Sequence, residues 1–547
     1  TTPIFAILLT KSLKNISSQI LYTDKLPEYF DEDIIRKVYG FNFNLKKIES
    51  QEDITPFEGS TIFIHQENTV GNYEMNSNID FLINFLPTLG SILIINGKQN
   101  EKYISDIQHF RRRETVAMTP ADTLTALKML TENSNLPTQE TNREADKKSV
   151  QDILNKITGT TSKALVASSG LSMQYAIMMG AVHDAIANHP GKAIKFIVPP
   201  NCYGGTNDQA RRVADSLENV EIVDLPVDGD NDMVQSIDRI LDKIAQEDAV
   251  PYIIAEIPTN PRVEVPNLAD LKAVLSKNRK TSNGADAIDS IFILDQTFCP
   301  NVHFLGEGEI LSTVRSVSYA SGSKFPSGGK CTAGYVVGNA KTNDLMDKIE
   351  LHLNLCDNEA TDLQYAILAK QLPSMNQRIK DAYKNTREFV NFIHEVLPTA
   401  KINFVSDELA NQDFTPSVFS LDLPTKGNSP QEKEAHKREL NLKLINLMIT
   451  QIPNESKFCV SYGQLKGFYW TIPATSTQGT TKEGDKDYIV RASLSPDLDL
   501  ELHKKVFLDF IKNKKKNVQA DYNKFLNFFT NEDFRNISEN LSIASKT

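Results

Sequence analysis

Across residues 150–341, short and nearly unbroken apolar runs alternate with longer segments whose apolar residues recur at helical spacing. Runs of strand length fall at 164–167, 193–198, 220–225, 252–257, 291–294, 314–318 and 335–337. Between the first five lie 171–189, 207–217, 233–244 and 268–275, each with the period of an amphipathic helix. A strand that is apolar at successive positions is covered on both faces. The alternation therefore predicts a large α/β domain over 150–341, built on a mostly parallel sheet of the seven-stranded kind. Beyond residue 342 helical patterns dominate (343–353, 359–371, 377–396), followed by strand-like runs at 402–405, 418–423, 458–462 and 488–493 and a helix at 498–512. This mixture predicts a smaller C-terminal α+β domain over 342–513. Residues 1–110 carry apolar runs at 5–9, 61–65 and 91–95, which suggests a small α/β extension. The polar stretch within 111–149 reads as a linker or arm, and 514–547 as an appended tail.

With 547 residues the chain has room for two to four domains, and 40 % hydrophobic against 24 % charged residues is the balance of a folded protein. Lys and Arg number 59 and Asp and Glu 70, a net charge of −11, which argues against nucleic-acid binding as the main task. The apolar runs fall short of the ~18 residues that span a bilayer, and no signal-peptide pattern precedes the run at 3–9. No membrane partner is expected. Five cysteines, odd in number and without CxxC spacing, make neither a disulfide framework nor a zinc site. They point to a reducing, cytoplasmic setting. The nine histidines form no HExxH pair, so no metal is expected.

Four features stand at ends of the predicted strands, where open α/β sheets place ligands. Ser168-Ser169-Gly170-Leu171 joins a strand to a helix and offers free N–H groups to an anion, although any capped turn reads the same. Asn201-Cys202-Tyr203-Gly204-Gly205-Thr206 permits a sharp turn that frees a tyrosine ring; an ordinary turn with a packed tyrosine is the alternative. Glu256-Ile257-Pro258-Thr259-Asn260-Pro261 is followed by Leu294-Asp295-Gln296-Thr297, whose Asp295 ends an apolar strand as a cap or as an anion in want of a cation. Ser321-Gly322-Ser323-Lys324 puts a lysine at a strand end, and a desolvated amine there is a usable nucleophile. Gly329-Lys330 imitates a phosphate-binding loop, but Lys324 stands where that loop needs glycine, and Cys331 replaces its Ser or Thr.

In this order the motifs resemble fold-type I pyridoxal-phosphate enzymes, specifically the Cys/Met-metabolism family of cystathionine γ-synthase, cystathionine lyases and methionine γ-lyase. The resemblance runs over about two thirds of the chain. SSGLS resembles SGMAA, CYGGT resembles LYGGT, EIPTNP resembles ETPTNP, LDQTF resembles VDNTF and SGSK resembles SxTK. It implies pyridoxal 5'-phosphate as cofactor. Ser169, Gly170, Leu171, Ser321 and Ser323 would hold its phosphate and Tyr203 would stack on its ring and assist proton transfer. Asn260, with Glu256, and Thr297 would lie near the cofactor, Asp295 would pair with its ring nitrogen, and Lys324 would bond its aldehyde. SYGQLKG resembles SLGGxES and YIVRASLS resembles LIRLSVG, which assigns Ser461 and Arg491 to a substrate carboxylate. The family's YSRxxNPT element, through which one subunit reaches its neighbour's phosphate, has no clean match; Arg143 is its candidate by spacing. GHSD after the family's lysine becomes Ser327-Gly328-Gly329-Lys330, and the carboxylate of SLGGxES becomes Lys466.

The resemblance implies a transferase of transsulfuration and methionine biosynthesis that joins cysteine to an activated homoserine by γ-replacement. Its alternatives are a carbon–sulfur lyase acting on cystathionine or methionine, and a noncatalytic relative with a binding or regulatory role. The partners implied are small amino acids and further copies of the chain, as a homodimer or homotetramer.

Overall fold

The computed structural model describes residues 1–71, 73, 75–86, 89–114, 118, 120–132, 142–227, 231–260, 262–459, 464–473 and 488–512. The chain forms two compact units. One comprises Thr1–Arg378 with Val405–Thr415, and the other holds Ile379–Phe404 and the described residues from Pro416 onward.

The first unit begins with α1 (Thr2–Ser12), β1 (Ser18–Tyr22), α2 (Glu32–Tyr39) and β2 (Asn44–Lys47), then β3 (Ser60–Gln66), β4 (Phe81–Leu86) and β5 (Gly90–Ile95). These strands form a sheet in the order β2-β1-β3-β4-β5, parallel except for β5. The expected small α/β extension is therefore a five-stranded sheet with its own helices. Its apolar run at 5–9 lies in α1, a helix buried nearly all round, which is why no amphipathic period marks it.

α3 (Ile104–Glu114), α4 (Pro120–Glu132) and α5 (Arg143–Thr158) lead into the central sheet, so helices occupy both ends of the stretch that reads as a linker. That sheet consists of β6 (Leu165–Ala167), β7 (Ile194–Val198), β8 (Val220–Asp224), β9 (Val250–Glu256), β10 (Ile291–Asp295), β11 (Ser316–Ser321) and β12 (Gly334–Gly338). The strand order is β6-β12-β11-β10-β9-β7-β8, with β12 antiparallel to both neighbours. The seven-stranded, mostly parallel sheet that the sequence predicts is thus present. Strands β7, β9, β10 and β12 are buried at every position, as their uninterrupted apolar runs require.

The intervening helices are α6 (Gly170–Asn188), α7 (Gly204–Ser216), α8 (Met233–Gln246) and α9 (Leu268–Leu275). Ser169 caps α6, its hydroxyl accepting from the Ser172 N–H, and Asp232 caps α8 in the same way on Gln235. α10 (Asn343–Leu355) and α11 (Asp362–Gln371) follow. One apolar core joins α1, α2 and α3 to α6, α10 and the central strands.

The second unit comprises α12 (Met375–Val396), β13 (Lys401–Asn403), β14 (Val418–Asp422), α14 (Pro430–Gln451), β15 (Ser456–Phe458), β16 (Gly467–Pro473), β17 (Tyr488–Ser493) and α15 (Leu500–Lys512); the short α13 (Asp407–Ala410) belongs to the first. Its sheet runs β13-β14-β17-β16-β15 over a core that includes Phe389, Leu444, Met448 and Phe507. The composition is α+β as expected, but residues 342–378 and 405–415, expected in this domain, belong to the first unit, with the first four residues of α12 among them. α14 goes unpredicted because its first half, Pro430–Glu439, is almost wholly polar. Among the described residues no helix is long and apolar enough to cross a membrane.

Candidate active site

The parallel strands β9, β10 and β11 end in line. Their register sets Asp295 opposite Glu256 on one side and opposite Tyr319 on the other, so the three side chains project from the same face. Glu256, Asp295 and Tyr319 are 7 %, 8 % and 2 % exposed, which makes this a buried polar row at the carboxyl edge of the sheet. Each member has partners. Glu256 Oε1 accepts from the Tyr203 N–H at 2.6 Å and Oε2 from the Asn260 N–H at 3.2 Å, so one carboxylate fastens two of the motif loops. Asp295 Oδ1 accepts from the Thr297 N–H at 2.8 Å. Burial pushes the Asp295 carboxyl up, while the Thr297 hydroxyl and N–H, the Tyr319 hydroxyl and the charge of Lys324 pull the other way.

Above this row lies a half-buried rim. Ser321 ends β11, and its N–H donates to Thr297 Oγ1 at 2.9 Å. Its hydroxyl meets that of Ser323 at 2.8 Å, and Lys324 Nζ donates to Ser323 Oγ at 3.3 Å. The start of α6 comes against the same strand end: a Cβ at Gly170 would stand 3.0 Å from Ser321 Cβ. Gly334 on β12 brings the sheet equally close, since a Cβ there would stand 2.5 Å from the Ser169 carbonyl oxygen. The start of α6, the hydroxyls of Ser321 and Ser323 and the Lys324 amine therefore lie together at this strand end. Such a set of donors suits an anion.

Tyr203 is 45 % exposed, and only glycine fits beneath it, because a Cβ at Gly205 would stand 2.5 Å from its Cε1. Its side chain is thus partly exposed. Ser169, Gly170, Leu171, Tyr203, Asn260, Asp295, Thr297, Ser321, Ser323 and Lys324 all lie on loops or element ends at this edge of the sheet. Tyr319 escapes the motif reading because it falls between the apolar run at 314–318 and the motif at 321–324, and Gln174, whose Oε1 accepts from its hydroxyl at 3.1 Å, sits inside an apolar helix.

Arg143 is engaged within its own chain. Its Nη1 is 2.6 Å from Asp362 Oδ1 and its Nη2 2.6 Å from Glu359 Oε2. Both carboxylates raise the guanidinium's pKa against the opposing effect of burial. Arg491 lies on β17 of the second unit, 4 % exposed, and its Nε donates to Ser420 Oγ at 3.4 Å. Ser461 and Pro261 lie outside the described residues. Lys466 turns back to the carbonyl oxygen of Asn454. No cluster of metal-ligating side chains occurs among the described residues.

No protein-family model and no curated protein sequence matches the chain. Solved structures do. A cystathionine gamma synthase from Xanthomonas oryzae pv. oryzae in complex with cystathionine aligns with a TM-score of 0.50 at 14 % identity, over 70 % of this chain and 89 % of that one. A gamma lyase from Micromonospora echinospora aligns with a TM-score of 0.50 at 15 % identity, over 67 % and 86 %. At 14 % and 15 % identity the likeness is one of fold: this chain shares the α/β architecture of these enzymes.

Proposed function

We propose that this protein is a pyridoxal-phosphate enzyme of sulfur amino-acid metabolism. The observation that carries the reading is the meeting of a helix start, two serine hydroxyls and Lys324 near a buried Asp295, on a sheet of the order β6-β12-β11-β10-β9-β7-β8. The residues fit the cofactor. The absence of a Cβ at Gly170 lets the helix start lie against Ser321, which sets backbone N–H groups beside serine hydroxyls as a phosphate needs, and a buried carboxylate within the field of one lysine suits a second cationic partner. Bound there, pyridoxal 5'-phosphate supplies an electrophilic aldehyde and an electron-withdrawing ring.

The chain's own groups divide the remaining work. Ser169, Gly170, Leu171, Ser321 and Ser323 bind the phosphate, Thr297 and Asn260 border the ring, and the partly exposed Tyr203 stacks on it. Asp295 holds a proton on the ring nitrogen. Lys324 Nζ would hold the cofactor, and once displaced by the substrate amine it would take the proton from the substrate Cα, deliver it to the former aldehyde carbon, and so be a free amine again for the proton on Cβ. Tyr203 Oη protonates the departing group or deprotonates the incoming nucleophile. Arg491, with Ser461, takes a substrate carboxylate.

Within this class we infer γ-replacement on an activated homoserine by cysteine. A carbon–sulfur lyase is the second reading, favoured by Tyr462 beside Ser461 in the sequence. Assembly as a homodimer or homotetramer completes the proposal.

The test is reconstitution of the purified chain with pyridoxal 5'-phosphate, borohydride reduction and mass mapping. The expected result is a visible absorbance band and a pyridoxyl adduct on Lys324, both absent in Lys324→Ala together with all turnover. A chain that stays colourless, or an adduct on another lysine, overturns the assignment. Product analysis with O-acylated homoserine plus cysteine, beside cystathionine alone, separates the two reactions.

A further inference from the structure

Three ammonium groups of the N-terminal module gather round one aromatic ring. Tyr103 ends the 3₁₀ turn Lys98–Tyr103 and is 5 % exposed. Lys11, from the last turn of α1, sets its Nζ over that ring at 3.5 Å from the centroid, and over the Phe81 ring of β4 at 5.0 Å. Lys14 Nζ lies over the same Tyr103 ring at 4.7 Å, and Lys102 Nζ at 5.1 Å. A ring has two faces, so at least two of these like charges share one. Lys14 is paired with Asp106 at 2.6 Å in an exposed contact. Lys11 and Lys102 have no hydrogen-bond or ion-pair partner for their amines among the described residues.

Lys11 is the informative member, because it is 3 % exposed while Lys14 and Lys102 lie at the surface. A buried ammonium calls for an anion or a set of acceptors. The negative face of a ring and the carbonyl end of a helix meet only part of that need. The carboxylate of Asp80 attracts Lys11. Its oxygens are already engaged, however, Oδ1 accepting from Asn100 Nδ2 at 2.7 Å and Oδ2 from the Thr61 N–H at 2.9 Å. Burial lowers the Lys11 pKa to about 8; Asp80 opposes the shift, and the charges of Lys102 and Lys14 add to it.

We propose that Lys11, Lys14 and Lys102, arranged round Tyr103, form a binding site for a small dianion of the phosphate type, built on the N-terminal module rather than on the central sheet. Two unpartnered ammonium groups match two negative charges, and Lys14 supplies a third contact by leaving the exposed Asp106. An ammonium is a compact point charge with three donors, and the tetrahedral oxygens of a phosphate meet such donors from several sides at once, as a planar carboxylate does not. The inference uses no part of the pyridoxal-phosphate reading.

The full chain is titrated with inorganic phosphate by calorimetry, at low ionic strength because exposed charges are screened by salt. The cradle formed by the start of α6, Ser321 and Ser323 also suits an anion, so Ser323→Ala marks its share of the heat. Lys102→Gln is an exposed substitution that removes one unpartnered charge, and Lys11→Met removes the other from a side chain of similar length. Each is expected to weaken, by about tenfold or more, the phosphate binding that survives Ser323→Ala. Lys102→Gln decides the matter if Lys11→Met does not fold. In the unaltered chain, competitive acetylation with mass mapping follows Lys11 itself, whose midpoint bound phosphate is expected to raise from about 8 toward the ordinary 10.5. Tighter binding of glycerol 3-phosphate than of inorganic phosphate assigns the site to a phosphorylated metabolite, and equal or weaker binding assigns it to free phosphate. Phosphate binding that is absent or that Lys102→Gln leaves unchanged, a Lys11 midpoint that phosphate does not move, or succinate bound as tightly as phosphate overturns the inference.

Discussion

A carboxylate drawn out of water needs protons or positive charge near it, and Asp295 has the Thr297 N–H at 2.8 Å and Lys324 within its field. A cationic ring nitrogen would be the partner that its burial demands. Asp295→Asn keeps the shape and the contact with Thr297 but removes the charge. Breaking one side of a buried ion pair costs about 3–5 kcal/mol, so turnover is expected to drop about a hundredfold or more, with little change in thermal midpoint. Steady-state kinetics beside a melting curve check this; full activity in the variant refutes the role. At this scale the sequence is legible where chemistry breaks a pattern. Asp295 and Lys324 stand out because a charge at the end of an apolar run has no packing explanation. Gln174 does not, since a lone polar residue inside an apolar helix looks like core, nor does Tyr319, which falls between an apolar run and a motif. Arg143 reads as a reaching arginine because its partners, Glu359 and Asp362, lie 216 and 219 residues further along the chain.

Glycines decide how closely the elements of the cradle approach. β12 passes against the start of α6 at Gly334, where a Cβ would stand 2.5 Å from the Ser169 carbonyl oxygen and 2.9 Å from Gly170 Cα. Both are backbone atoms, so an alanine there must push the helix start away from Ser321. Gly334→Ala is expected to destabilise the chain by about 1–3 kcal/mol, as overpacking does, and to weaken cofactor binding more than a substitution of equal stability cost elsewhere. Denaturant unfolding and absorbance titration measure the two effects, and wild-type cofactor affinity would count against the cradle. The strands of the central sheet were readable because burial on both faces leaves a continuous Val/Ile/Leu signature, and their helices because the period is long. β11 extends to Ser321, three residues beyond its apolar run, because backbone pairing with β12 continues where hydrophobicity stops. α1 and α14 lack an amphipathic stripe for opposite reasons, the one being buried all round and the other beginning almost wholly polar.

At the scale of the first unit, the N-terminal sheet is joined to the central one through a shared core, and among the polar contacts across it is a buried one. Tyr39 on α2 donates its hydroxyl hydrogen to His352 Nδ1 on α10 at 2.8 Å, and its oxygen lies 3.3 Å from Cys356 Sγ. His352 Nε2 lies 3.2 Å from His183 Nδ1 on α6. A neutral imidazole satisfies both contacts, with Nδ1 accepting and Nε2–H donating. Burial, with His183 beside it, lowers the His352 pKa to about 3, against an ordinary 6.5. The unfolded chain therefore binds a proton at His352 below pH 6.5 that the folded chain refuses down to about pH 3. Stability from this contact is complete above pH 6.5 and is lost as the pH falls through that window, at up to about 1.4 kcal/mol per pH unit. His352→Gln retains hydrogen-bonding capacity without the titration. It is expected to be the less stable protein at pH 8 and to lose less stability than wild type between pH 6.5 and pH 4, when unfolding is followed by tryptophan fluorescence and circular dichroism. Equal acid sensitivity in the two proteins would mean that the N-terminal module is held to the central sheet without help from the neutral imidazole.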